Sequence, residues 1–146
     1  MKIVIRALLA PDQVPVPGGD AQGYRVRFSC PLGEGVAVLV PARLPFSHKA
    51  GTDIDVETSQ AQVSDLKIWK NRGTMVPMLT ALDSEGDYQV RGLVSTVKDG
   101  LVYVDAAGIE FVVPDADEVA SLDARPGDNI MFVLSGLGLW ENETRP

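Results

Sequence analysis

The chain reads as mainly β: two small β-barrel-like units in tandem, the second OB-like, with one short helix near 115–123. Three observations predict this. Val, Ile, Tyr, Phe and Thr recur in short runs punctuated by Gly, Pro, Asp and Asn, the pattern of strands bounded by turns. Stretches of the first half recur in order in the second. Only one segment carries a clear helix-start signal.

The repeat has three blocks. Gly35-Val36-Ala37-Val38-Leu39-Val40-Pro41-Ala42 matches Gly108-Ile109-Glu110-Phe111-Val112-Val113-Pro114-Asp115. Gly51-Thr52-Asp53-Ile54-Asp55-Val56 matches Gly127-Asp128-Asn129-Ile130-Met131-Phe132. Leu66-Lys67-Ile68-Trp69 matches Leu137-Gly138-Leu139-Trp140. The offsets of 73, 76 and 71 residues differ only by loop-sized amounts. The reading therefore places a first β unit at 1–73, a packed connector at 74–86 and a second β unit at 87–146, the whole short enough to form one compact domain.

In the first unit, strands are expected near 2–9, 22–30, 36–41, 53–59 and 65–70. Alternation is clearest at Tyr24-Arg25-Val26-Arg27-Phe28. Tyr24, Val26, Phe28 and Cys30 share the core face, and Arg25, Arg27 and Ser29 face outward. Residues 10–21 hold three prolines and two glycines and read as a loop. Pro31-Leu32-Gly33-Glu34-Gly35 and Asn71-Arg72-Gly73 read as turns. The connector TMVPMLTALDSEG is too apolar for a free linker and is expected to pack.

In the second unit, strands are expected near 87–96, 101–106, 108–113, 128–135 and 137–142. Lys98-Asp99-Gly100 supplies a tight hairpin turn. Ile109, Phe111 and Val113 point inward, as do Ile130, Phe132 and Leu134. Asp115-Ala116-Asp117-Glu118 places an acceptor at a helix N-cap and Glu at the third helical position, and Arg125-Pro126-Gly127 ends the helix. The order β-β-β-α-β-β is that of an OB barrel, and an SH3-like barrel or an open meander fits the strand count nearly as well.

Composition narrows the function classes. The chain has 146 residues, 45% hydrophobic and 23% charged, with a net charge of -7. That charge argues against non-specific binding to DNA or anionic lipid. Residues 1–73 carry nine Lys and Arg against seven Asp and Glu, whereas residues 74–146 carry four against thirteen. Cys30 is the single cysteine and His48 the single histidine, so neither an internal disulfide nor a zinc site of the usual ligands is expected. The N-terminal apolar run is broken by Arg6 and closed by Pro11, and no run is long enough for a transmembrane helix. The expected compartment is the cytoplasm, with no membrane partner.

No catalytic constellation is expected, and no cofactor or metal is implied. Asp53, Asp55 and Glu57 share one strand face, but about 7 Å between neighbours is too wide for one coordination sphere. His48 has no nucleophile motif beside it. The first functional reading is a non-enzymatic acidic binding protein of the inhibitor or toxin-immunity type. Its basic protein partner would dock on Asp115, Asp117, Glu118, Asp123 and Asp128. The alternative is a single-stranded nucleic-acid module on the first half, with Trp69 as a stacking face and Arg25, Arg27, Lys67, Lys70 and Arg72 as phosphate partners. A third reading is a small-molecule binder or enzyme with its pocket between the two halves.

Overall fold

A computed structural model describes residues 2–70, 76–82, 87–106, 109–114 and 123–142. Its strands are β1 (Lys2–Leu8), β2 (Val14–Pro15), β3 (Gln22–Cys30), β4 (Gly33–Val40), β5 (Asp53–Ser59) and β6 (Gln62–Trp69). They continue as β7 (Met78–Ala81), β8 (Asp87–Lys98), β9 (Leu101–Ala106), β10 (Ile109–Pro114), β11 (Asn129–Ser135) and β12 (Gly138–Glu141). The protein is mainly β, and the described residues include no helix. The expected helix lies outside the described residues except for Asp123, which sits in a turn with φ 50°.

Alternation works as the sequence implies. Val26 and Phe28 are fully buried on β3 while Arg27 is exposed. Ile109, Phe111, Val113, Ile130, Phe132 and Leu134 are all buried, and Glu110 is exposed. One expected turn is shorter than the sequence suggests. Residues 33–35 already belong to β4, and only Pro31 and Leu32 form the turn, because Cys30 pairs directly with Gly33. In the connector, Leu79 is buried and β7 pairs with β8.

Five strands close into a barrel in the order β1-β5-β12-β4-β3, with β3 returning to β1. Its interior is filled by side chains such as Ile3, Ile5, Val26, Phe28, Leu39, Ile54, Val56 and Leu139. The second sheet runs β10-β9-β8-β11-β6, with β7 also on β8. The sheets do not divide where the sequence repeat divides. β6, from the N-terminal half, lies against β11. β12, from the C-terminal end, enters the barrel antiparallel to β5 and parallel to β4. Each unit has given its last strand to the other.

The register shows that the units are true counterparts. Phe28 pairs with Gly35 in the barrel, and Val104 pairs with Phe111 in the second sheet, both 76 residues further on. Ile54 faces Ile3, and Ile130 faces Gly92. Leu139 faces Thr58 and Val63 faces Leu134, so the exchanged strands obey the same offset of 76. The bulge between Ile5 and Ala7 on β1 recurs between Val94 and Thr96 on β8. The turn before β5 recurs before β11. Gly51 (φ 90°) donates to Ile5 O at 2.7 Å, and Gly127 (φ 91°) donates to Val94 O at 2.8 Å.

The register corrects two blocks of the sequence alignment. Gly35 corresponds to Phe111 rather than Gly108. Trp140, opposite Glu57, corresponds to Ser64, opposite Val133, and not to Trp69. Among the described residues β6 and β10 do not pair. The counterparts of Val38, Leu39 and Val40 are Pro114 and residues 115–116, of which only Pro114 is described.

The two crossovers meet. Residues 60–61 lead from β5 into β6, and residues 136–137 lead from β11 into β12. Ala61 donates its N–H to Ser135 O at 2.9 Å. A Cβ on Gly136 would lie 2.6 Å from Pro17 Cβ and 2.9 Å from Ala61 Cβ, and φ is 70°. Close approach and a left-handed backbone both demand glycine here.

Side chains also stitch each unit to the other at equivalent positions. Tyr88 of β8 is buried, and its hydroxyl donates to Val36 O at 2.6 Å and accepts from Val36 N–H at 2.5 Å. Burial raises the Tyr88 phenol above its ordinary value, against the opposing bond to Val36. Gly35 has to be glycine because a Cβ would meet the Tyr88 hydroxyl at 2.6 Å. The counterpart of Val36 is Val112, and its carbonyl accepts from Gln60 Nε2 at 2.7 Å. Backbone groups that would otherwise form a sticky strand edge are thereby capped.

Two outcomes follow for stability. Leu139→Ala, in the exchanged strand, should cost about 3 kcal/mol. Denaturant unfolding of Trp69→Phe and Trp140→Phe should give coincident transitions, because each remaining tryptophan reports on a unit locked to the other. Separate midpoints would contradict the interlock. Tyr88→Phe should cost about 1–3 kcal/mol by leaving the half-buried Val36 backbone groups without this partner, measured from the same denaturation curves.

Candidate functional site

The single histidine is tied to the end of an exchanged strand. His48 Nε2 lies 2.9 Å from Glu141 Oε1, and the same oxygen accepts the Ala42 N–H at 3.0 Å. Phe46 meets the imidazole edge-on at 5.6 Å and packs against Tyr24 at 5.1 Å. A carboxylate on one imidazole nitrogen also occurs in acid–base sites. Four hydroxyls are engaged elsewhere: Ser29 with Arg6, Ser59 with Trp140, Thr58 with Glu110 O and Ser95 with Tyr103 O. The geometry is that of a latch holding β12 to the loop between β4 and β5.

The second unit has a strand-end contact of its own, at different register positions. Lys70, just past β6, donates to Asp128 Oδ2 at 2.7 Å and to Asp123 O. The Arg125 N–H donates to the same Asp128 oxygen at 2.9 Å. Burial would raise the Asp128 carboxyl, but the Lys70 ammonium and the Arg125 amide outweigh it and hold the group below the usual carboxylate value.

These contacts bear on the sequence-derived surfaces. Of the acidic set, Asp115, Asp117 and Glu118 lie outside the described residues. Asp123 is exposed and pairs with Arg125 at 3.2 Å. Asp128 is buried and holds Lys70. Of the cationic set, Arg25 and Arg27 stand on β3 of the barrel, while Lys67 and Trp69 stand on β6 of the other sheet. Lys67 is exposed, Trp69 is half-buried, Lys70 is engaged by Asp128, and Arg72 lies outside the described residues.

Cys30 is half-buried, and burial pushes its thiol up against the lowering effect of the Leu32 and Gly33 backbone groups. That disfavours a reactive thiolate. Among the described residues, no three of His, Cys, Asp and Glu are grouped so as to hold a metal ion. Among them, too, no helix is long and apolar enough to cross a membrane.

The most distinctive surface is one that strand exchange creates. Asp53, Asp55 and Glu57 are exposed along the outer face of β5. β12 lies beside it and sets Trp140 directly opposite Glu57. Trp140 is 37% exposed, a large value for so big an apolar ring. Its Nε1–H donates to Ser59 Oγ at 2.9 Å, which fixes the indole against the sheet. Asp55 accepts from the Asn142 amide at 3.2 Å and faces Lys2 on β1. The result is an immobilised aromatic ring beside a row of carboxylates.

Sequence reasoning identified each carboxylate of β5. It missed their union with Trp140, because no local signal marks which strand lies beside β5. It also missed Glu141 as the partner of His48 for the same reason. Comparison with protein-family models, curated proteins and solved structures finds no match to this chain.

The Asp128 latch sets a pH dependence. A carboxyl depressed in the folded state adds stability above its unfolded value and loses it as pH falls through the folded value. Wild-type stability should therefore drop on acidification through that window, while Asp128→Asn should be less stable near neutrality and show a flatter acid limb. Denaturant midpoints measured from neutral to acid pH would reveal the difference.

Proposed function

We propose that this chain is a non-enzymatic binding protein that docks a basic partner protein, as inhibitor and immunity-type proteins do. The supporting observation is the outer barrel face of Asp53, Glu57 and Trp140. An arginine or lysine laid over the indole gains cation–π attraction of about 0.5–2 kcal/mol. The same cation reaches Glu57 across the strand pair, where a charge-assisted hydrogen bond adds to it. The indole is held by Ser59 before any partner arrives, so little rotamer freedom is lost on binding. The net charge of -7 speeds encounter with a cationic surface.

A titration of Trp69→Phe protein with an arginine-rich peptide should change the fluorescence of Trp140, and the change should weaken with salt. Trp140→Ala and Glu57→Lys should each weaken binding about tenfold, equivalent to about 1.4 kcal/mol. Reversal of Asp117, Glu118 and Asp123 in the same titration tests the acidic set that the sequence singles out. The set whose reversal weakens binding carries the interface. Unchanged affinity for both would end the proposal.

A further inference from the structure

The chemistry of the Trp140 face runs along one strand. Asp53, Asp55 and Glu57 project outward from β5 at steps of about 7 Å, so Asp53 and Glu57 stand about 13 Å apart. Asp55, in the middle, is already engaged by the Asn142 amide. Among the described residues, no side-chain hydrogen bond or ion pair engages the carboxylates of Asp53 and Glu57. On β1 the row is flanked by Val4 opposite Asp53 and by Lys2 opposite Asp55. On β12 Trp140 stands opposite Glu57, and its indole leans away from Asp53 toward Ser59. The register partner of Ser59 is Gly138, where a Cβ would lie 2.5 Å from Ser59 Oγ and 3.6 Å from Trp140 Nε1. The indole therefore lies back over a residue that has no side chain. The carboxylates alone would be a solvated strand face. The exposed, immobilised ring at the end of the row gives it a binding chemistry.

We infer that the basic partner enters as an extended segment lying along β5, with an arginine on the Trp140 indole and a second cation four residues away at Asp53. The inference rests on the docking face proposed above and names the side chain and the backbone conformation that this face selects. Arginine is selected over lysine by the cross-strand pair of Trp140 and Glu57. Directly opposed residues have Cβ atoms about 5 Å apart, so the Glu57 carboxylate reaches the rim of a group seated on the ring. A guanidinium is flat, and it stacks on the indole while its in-plane N–H groups fork onto a carboxylate at that rim. An ammonium is a hydrated point charge that gains one contact while losing the other. Ser59 takes the indole N–H, which leaves the ring face to the cation. Extension is selected by spacing. Side chains four residues apart on a strand share one face and lie about 13 Å apart, the separation of Asp53 and Glu57. On a helix the same two positions lie about 6 Å apart. A helical rise of about 13 Å takes about nine residues, which face opposite sides at 3.6 residues per turn. A neutral residue suits the middle of the segment, because Asp55 is engaged by Asn142 and faces Lys2.

Trp140 fluorescence in the Trp69→Phe protein, titrated at low salt with synthetic threonine-rich peptides, tests this. Each peptide carries two arginines, either adjacent or separated by two or by three residues. The three-residue separation should bind about threefold tighter than the other two, because only it places both cations on one face at the right distance. Replacing both arginines by lysine at that separation should weaken binding about fivefold. Asp53→Asn should abolish the spacing preference and keep the preference for arginine, whereas Glu57→Gln should reduce the preference for arginine. Glu34→Gln removes an equal charge from the exposed side of β4 and should leave both preferences intact. Unfolding midpoints of the three variants confirm that each is folded during the titration. Equal affinity across the spacings, or for arginine and lysine, would overturn the inference. If the peptides bind through Trp140 without either preference, the docking face stands and only the extended arginine segment falls; if none of them perturbs Trp140, both fall.

Discussion

The passage of two chain segments at Gly136 and Ala61 is the constraint on which the rest of this structure depends. At that point the exits from β5 and β11 run past each other, each carrying a final strand into the opposite unit. A side chain at Gly136 would collide with Pro17 and Ala61. With glycine in place the crossing is tight, β12 reaches β4 and the barrel closes. Neither unit is complete without a strand from the other half of the chain. The hydrophobic core is accordingly continuous, running from Ile3 and Leu39 in the barrel to Phe111 and Leu134 in the second sheet.

The two units share one frame of strand pairings. The same bulge, the same left-handed glycine and the same turn hydrogen bonds serve both copies. What differs is chemistry laid on a shared frame. The latch of the first unit sets a strand carboxylate against a loop histidine, whereas the separate strand-end contact of the second sets a lysine against a loop carboxylate. The outer face is acidic on β5 and uncharged on its counterpart β11. A shared frame presents two different surfaces with one geometry, and function lies in such surfaces rather than in the fold.

Charge distribution also changes meaning once the strands are exchanged. Along the sequence, cations gather in the first half and carboxylates in the second. In space, β6 carries Lys67 to the second sheet and β12 carries Glu141 to the barrel. Lys70 and Asp128 then neutralise each other at the end of β6. Asp128, which sequence places in an acidic docking patch, is consumed by this internal contact. The exposed carboxylates of β5, set in the more cationic half of the sequence, become the acidic surface beside Trp140.

The strands themselves were legible because their signals are local. A period of two at Tyr24–Phe28 and Ile109–Val113 reports which side of a sheet is wet, and Asp99-Gly100 reports a turn. These features need only near neighbours, so the amino-acid sequence by itself determined the mainly β class, most strand positions, the core faces and the existence of the repeat. Its alignment slipped at two blocks because valine-rich strands resemble one another at several offsets, and only backbone pairing distinguishes an offset of 76 from 73 or 71. Tertiary structure alone decided the strand exchange, the Tyr88 cap on Val36, the two latches and the union of Trp140 with Glu57. Each of these joins residues far apart in sequence through hydrogen bonds and packing that no local pattern encodes.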